Sequence, residues 1–210
     1  MSKIISRSFL AGAVLALGLQ QAVAADSGFI DNMPQLTPDP DRAGAMVWQK
    51  PDLNRAAYTR VMFEPITIFI SPDSEYKGLK ADELKAMSDG FQEAITKTLE
   101  PDFPVVNQAG PGVLYLRVAL TNVKVAKKKR GLLGYTPIGF VVTTASGPTI
   151  LLKDASLEIE ALDSASSERL FVLVDPAPKT VGAKELTWDE VNKVFAYYAE
   201  RFKARMQVAK

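Results

Sequence analysis

Regular alternation of apolar and polar residues predicts a strand in the middle of the chain. Every second residue from Leu114 to Leu120 is apolar, and the next apolar residue, Val123, breaks the parity of that series. One extra residue near Thr121 and Asn122 would return the later apolar positions to the same face. The pattern therefore predicts a long strand with a β-bulge at this point.

An earlier segment also has strand character. Residues 58–70, "YTRVMFEPITIFI", are rich in β-branched and aromatic side chains and end at a turn signal, Ser71-Pro72-Asp73. Proline cannot donate a hydrogen bond to a ladder, so Pro65 indicates an edge position or a bulge.

A third strand is predicted over residues 150–162. Its second half has one apolar face, formed by Ala155, Leu157, Ile159 and Ala161, and one polar face, formed by Ser156, Glu158 and Glu160. The turn residues 163–166 and the apolar run 170–174 follow. They predict a hairpin with a loop of about four or five residues.

Two segments repeat apolar residues at steps of three or four, which is typical of a helix packed on one side. The first stripe consists of Leu84, Met87, Phe91, Ile95 and Leu99, and Pro101 ends it. The second consists of Trp188, Val191, Phe195, Tyr198 and Phe202. It begins at a capping box formed by Thr187 and Glu190.

The order strand, helix, strands, helix predicts an α+β fold. We expect a two-layer sandwich in which a mainly antiparallel sheet carries two helices on one face. This single domain spans residues 55–210. The proline-rich residues 25–54 are expected to form an extended arm that docks through Trp48.

The first residues have the pattern of an export signal. Two cations, Lys3 and Arg7, precede an apolar run from Phe9 to Leu19, and a small-x-small motif ends at Ala24. The run is shorter than the ~20 residues that span a bilayer. We predict a signal peptide over residues 1–24, cleavage after Ala24 and a periplasmic mature protein.

The composition excludes several catalytic mechanisms and binding functions. It contains no histidine and no cysteine, which excludes Ser–His and Cys–His mechanisms and disulfide bonds. The formal charge is +1, and cleavage of two cations with the signal would change it to −1, so general nucleic-acid binding is not expected. No metal ion or cofactor is predicted.

The acidic candidates for a site are Asp154, Glu158 and Glu160. Glu158 and Glu160 are two residues apart on one strand face, a separation of ~6.6–6.8 Å that suits two carboxylates acting across a glycosidic bond. The alternative is that they belong to the solvated face of a half-covered sheet. We favour the alternative, since alternation alone accounts for them.

The charges are otherwise mixed, but one stretch, residues 127–142 ("KKKRGLLGYTPIGFVV"), joins a cation run to an apolar run. We name it the basic–apolar segment. The residues expected to bind are its cations and largest apolar side chains: Lys127, Lys128, Lys129, Arg130, Leu132, Leu133, Tyr135 and Phe140. Cations at a strand end also discourage edge pairing, and the apolar residues could instead fold onto the core.

Several stretches together resemble a known family of bacterial envelope proteins, domain-of-unknown-function 3313. They are "RAAYTRVMFEPITIFI", "VLYLRVALTNVKVA" and "ASLEIEALDSASSERL", followed by an apolar strand that ends at Asp175. The resemblance covers roughly residues 45–205. It implies an envelope lipoprotein or an exported relative with a two-layer fold and no established reaction; the acylated cysteine of the usual lipoproteins is missing here.

We therefore predict an exported, non-catalytic protein with no catalytic residues. It is expected to bind another envelope protein, or to contact a membrane surface peripherally, through the basic–apolar segment. The competing hypothesis is a hydrolase that acts on an envelope polymer through Glu158 and Glu160.

Overall fold

The structure is a computed structural model and describes residues 27–100, 102–127, 150–179 and 187–207. Its strands are β1 (Thr37–Pro38), β2 (Met46–Gln49), β3 (Arg60–Phe63), β4 (Thr67–Ile70), β5 (Val113–Lys127), β6 (Ile150–Asp163) and β7 (Arg169–Asp175). The helices are α1 (Ala81–Leu99) and α2 (Trp188–Gln207), with a short 3₁₀ helix at Arg55–Ala57.

The strands form one mixed sheet in the order β1-β2-β7-β6-β5-β3, and β4 also pairs with β5. The four pairs β1–β2, β2–β7, β7–β6 and β6–β5 are antiparallel. By contrast, β3 and β4 run parallel to β5. Five residues separate β6 from β7, which confirms the predicted hairpin. The α+β fold with a mainly antiparallel sheet is also confirmed.

Proline divides the first predicted strand into two short edge strands. β3 and β4 are interrupted at Glu64, Pro65 and Ile66 and pair with different parts of β5. The carbonyl of Ile66 accepts a hydrogen bond of 2.5 Å from the Ser88 hydroxyl on α1. The interruption therefore gives the edge a contact with the helix layer.

The bulge lies where the change of parity predicts it. Thr121 pairs with Ser156 and Lys124 pairs with Asp154, so two residues of β5 stand opposite one residue of β6. Asn122 takes a φ of 52°, which asparagine tolerates better than most residues. As a result, Val123 is fully buried in the same core as the earlier apolar positions of β5.

The main core lies between the sheet and both helices. Phe91 of α1 packs against Phe195 of α2 with ring centroids 5.0 Å apart, and both helices bury the predicted stripes apart from the half-buried Leu84 and Phe202. At the start of α2, the Thr187 hydroxyl accepts a hydrogen bond of 3.1 Å from the Glu190 amide, as the capping box predicts.

A smaller core lies on the opposite face of the sheet. Phe29 and Ile30 are buried there against Ala119, Val172 and Val174. Trp48 and Leu36 pack at its margin. The predicted arm thus covers this face before it enters the sheet as β1 and β2.

Ion pairs fasten the arm to α2. Arg201 binds both oxygens of Asp39, and it also donates to the carboxylate of Asp41 at 2.6 Å. Arg205 donates to Asp41 at 2.8 Å. We name these four residues the arm clamp. The Asp39 side chain is fully buried and that of Arg201 is 11% exposed, so this pair is desolvated more than a surface ion pair.

The carboxylates of the clamp have lowered pKa values. Burial raises the pKa of Asp39, but hydrogen bonds from Arg201 and the Asp41 amide, with the charges of Arg201 and Arg205, outweigh burial and lower it below 3.8. Hydrogen bonds from Arg205 and Arg201 lower the pKa of Asp41. A carboxylate whose pKa is lower in the folded protein than in the unfolded chain stabilises the fold at pH values above its pKa in the unfolded chain. That stabilisation is lost as the pH falls through its pKa in the folded protein.

Replacing Arg201 by Met should destabilise the protein by on the order of 3 kcal/mol, because the buried Asp39 carboxylate loses the cation that binds both of its oxygens. Chemical denaturation gives the free energy of unfolding. Lys85→Met is the control, since Lys85 pairs with Asp89 on the surface of α1 and should contribute less than about 0.5 kcal/mol. Equal losses in the two variants would contradict the clamp.

The clamp also predicts an acid dependence. The melting temperature of the native sequence should fall more steeply from about pH 5 to about pH 2 than that of Asp39→Asn, because the variant has no carboxylate to protonate at this position. Circular dichroism melts at several pH values measure both slopes. Parallel slopes would show that Asp39 does not contribute.

Candidate functional site

The basic–apolar segment begins at the last residue of β5 and belongs to the connection between β5 and β6. Lys127 is the last residue of β5 and is paired with Ile150, the first residue of β6. The other predicted binding residues, Lys128, Lys129, Arg130, Leu132, Leu133, Tyr135 and Phe140, lie outside the described residues. The binding role of this segment stays a prediction from sequence.

The expectation that Glu158 and Glu160 are solvated is wrong. Glu158 is 3% exposed and Glu160 is 1% exposed. Alternation correctly places them on the face opposite the helices, but the arm covers that face with Phe29 and Ile30. Asp154 lies nearer the start of β6, where its side chain is 57% exposed and its carboxylate is 3.9 Å from the Lys124 ammonium group.

Glu160 is neutralised by two arginines. Arg117 on β5 donates to one of its oxygens at 2.5 Å, and Arg169 on β7 donates to the other at 2.6 Å. Arg169 also donates to the backbone carbonyls of Asp31 and Asn32. Glu160 therefore positions Arg169, the cation that holds the arm against the sheet.

Glu158 is held by hydroxyl groups instead of by arginines. Thr121 donates to one oxygen at 2.7 Å and Ser27 donates to the other at 2.9 Å. Thr121 is fully buried on the neighbouring strand, whereas Ser27 belongs to the arm. Both oxygens of each glutamate are thus occupied by protein donors, an arrangement typical of a structural carboxylate.

Another buried carboxylate, Asp175, ends β7. One of its oxygens accepts hydrogen bonds from Arg42 at 2.6 Å and from the Tyr198 hydroxyl at 2.9 Å. Burial and the negative charge of Asp175 raise the pKa of Tyr198. The tyrosine therefore stays protonated and serves as a donor between the arm, the sheet and α2. The described residues contain no cluster of acidic side chains that could hold a metal ion.

A cavity of about 120 Å³ lies between the sheet and the helices. Most of its wall is apolar and includes Leu116, Phe195 and Ala199. Polar side chains on the lining come from Gln49, Arg55, Arg201, Arg205 and Tyr198. An apolar cavity with a few polar groups on its lining is the arrangement that small-molecule sites use.

Sequence reasoning missed the cavity. Phe195 and Ile95 were predicted as helix stripe residues, which they are, but periodicity identifies an inward face without showing whether that face is completely filled. The arginines at the margin come from two distant parts of the chain, Arg55 after β2 and Arg201 and Arg205 on α2. The sequence contains no signal for their proximity.

Comparison with known proteins gives relatives in the cell envelope. The chain is 27% identical over 156 residues to an uncharacterised lipoprotein, YdcL, of Escherichia coli K12, covering 70% of this chain and 68% of the relative. The same figures hold for YdcL of E. coli O157:H7. The chain is accordingly an exported, envelope-associated protein, while cleavage after Ala24 and the periplasmic location stay predictions.

Solved structures with low similarity were also found. One is a DUF4136 family protein from Bacteroides thetaiotaomicron, with 11% identity and a TM-score of 0.39, covering 79% of this chain and 95% of that protein. Another is the PelC dodecamer from Paraburkholderia phytofirmans, with 10% identity and a TM-score of 0.35, covering 75% of this chain and 93% of that one.

Among the described residues, neither helix combines the length and apolar character needed to cross a bilayer.

The family model described as protein of unknown function DUF3313 matches residues 25–202. This match includes the arm, the whole sheet and most of α2, the elements joined by the buried ion pairs. The chain therefore belongs to the DUF3313 family.

Proposed function

We propose that this protein is a non-catalytic component of the cell envelope. It binds another envelope protein or a membrane surface through the basic–apolar segment, residues 127–142. The observation that supports the proposal is the position of the two strand ends between which this segment lies in the sequence. Because β5 ends at Lys127 and β6 begins at Ile150, the chain leaves and re-enters the sheet at the same end of one antiparallel ladder.

The composition of the segment supports a surface that binds. Four consecutive cations, Lys127 to Arg130, precede the apolar residues Leu132, Leu133, Tyr135 and Phe140. A cation near an anionic membrane surface contributes about 1 kcal/mol, and apolar residues beside charges are typical of interaction sites. β5 and β6 are paired up to Lys127 and Ile150, the residues at which the connection containing this segment begins and ends.

The state of the buried acids supports a non-catalytic function. A hydrolase of the two-carboxylate type needs one carboxylate that holds a proton for the leaving group and one that faces substrate. Glu160 is instead paired with two arginines, and Glu158 accepts from Thr121 and Ser27. Both lie beneath the arm, so substrate would have to displace residues 27–30 to reach them.

Replacing Lys127, Lys128, Lys129 and Arg130 by serine should leave the melting temperature unchanged and weaken binding at least tenfold, since four attractive charges are lost. Binding is measured by co-sedimentation with vesicles that contain anionic lipid and by capture of partners from envelope extract. Raising the salt concentration should weaken binding of the native protein in the same assay.

The control changes four cations elsewhere, Lys50, Lys85, Lys97 and Lys193, to serine. Each of these lysines forms an ion pair, and each has a side chain that is more than a third exposed. The expected loss of stability is therefore small. The total change of charge is the same as in the first variant. If both quadruple variants lose binding equally, net charge and not the segment is responsible. Unchanged capture by the first variant at low salt would refute the proposal.

Substituting the buried glutamates tests the structural role of the acids. Glu160→Gln should destabilise the fold by about 3 kcal/mol because Arg169 loses its counter-charge and Arg117 keeps only Glu64. Glu158→Gln should cost less, about 1 kcal/mol, since its partners are neutral hydroxyl groups. Asp154→Asn, on the exposed part of β6, is the control and should stay within about 0.5 kcal/mol.

The same variants test the hydrolase hypothesis. If the purified native protein degrades an envelope polymer, and Glu158→Gln or Glu160→Gln loses that activity while remaining folded, the non-catalytic proposal is wrong. Stability curves from denaturant titration and product release from peptidoglycan or outer-membrane polysaccharide provide the two measurements.

A further inference from the structure

We propose that the cavity between the sheet and the helices binds the alkyl chain of a fatty carboxylate whose head group is held at the cavity margin by Arg55. This is a second site on the molecule. Its lining comes from described residues outside the basic–apolar segment, so either proposal can fail without the other.

The volume and lining fit a single alkyl chain. An engineered apolar cavity of about 150 Å³ stays dry and binds benzene, so the cavity of about 120 Å³ holds roughly five carbon atoms. Its wall combines large apolar side chains with two alanines, Ala161 and Ala199, both 5% exposed. Such a wall offers a sugar or a peptide backbone few hydrogen-bond partners, whereas methylene groups gain by leaving water.

Arg55 has a charge that is not neutralised within the described part of the chain. It donates to the Gln49 side-chain oxygen at 2.7 Å, and it forms no ion pair with a described carboxylate. Both Arg55 and Gln49 line the cavity. A guanidinium group with a neutral partner keeps its preference for a carboxylate, which it binds with two parallel hydrogen bonds.

The other two arginines of the lining differ from Arg55. Arg201 and Arg205 are already paired with Asp39 and Asp41 in the arm clamp. The Nε atom of Arg201 is nevertheless buried with no hydrogen-bond partner among the described residues. The guanidinium group of Arg55, which has no ion-pair partner among the described residues, complements one negative head group. The apolar wall complements one alkyl chain. A fatty carboxylate combines these two parts.

The experiment titrates the full mature protein with octanoate by isothermal titration calorimetry. Acetate provides the head group without the chain, and octan-1-ol provides the chain without the charge. Octanoate should bind at least tenfold more tightly than either one. Chain lengthening from butyrate to hexanoate should increase affinity about threefold to fourfold for each methylene that enters the cavity.

Two variants locate the two halves of the ligand. Ala199→Leu fills the cavity and should weaken octanoate binding at least tenfold, while Ala204→Leu, at an exposed position of the same helix, should have no effect. Arg55→Gln should weaken octanoate about tenfold and leave octan-1-ol unchanged. Arg60→Gln is its control, because Arg60 is an exposed residue that donates to the Pro111 carbonyl.

The proposal is overturned if octanoate binds no better than acetate or if the native protein and Arg55→Gln bind octanoate equally. It is also overturned if Ala204→Leu weakens binding as much as Ala199→Leu, which would indicate a general effect on α2. Should Ala199→Leu fail to fold, the Arg55 and Arg60 pair still decides the outcome, since Arg60 is exposed and Arg55 is only partly buried.

Discussion

The need to neutralise carboxylates on a sheet face covered by protein organises this molecule. Glu160 lies beneath the arm with almost no exposure, where an isolated charge would cost several kcal/mol. Arg117 and Arg169 supply the opposite charge from the two neighbouring strands. Arg169 then uses its remaining donors on the arm backbone, so one buried glutamate links side chains of β5 and β7 to the cover.

The same principle operates at the other end of the arm. Asp39 is buried against Arg201 of α2, and Asp175 is buried against Arg42 and Tyr198. The arm is consequently tied to the sheet at Glu160 and to the helix layer at Asp39. A segment that lacks a large core of its own is held by charged hydrogen bonds, which are individually stronger than neutral ones.

Beside these structural contacts, the molecule has two candidate binding features. The acids with the most buried positions are engaged in structure, which leaves the cavity beside α2 and the connection between β5 and β6 for recognition. The two differ in chemistry. The cavity offers an apolar volume with a guanidinium on its lining, whereas the connection offers a run of cations followed by apolar residues.

The sequence by itself determined the strands β5 to β7, both helices and the layer arrangement, because these depend on local periodicity. The shift of apolar parity at Val123 was sufficient to locate the bulge, Pro65 to locate the edge, and the two stripes to identify the helices. Only the tertiary structure decided the environment of Glu158 and Glu160 and the existence of the cavity. Alternation assigns a residue to a face, but whether distant residues such as Phe29 cover that face, or leave space beside Arg55, depends on contacts across more than a hundred positions.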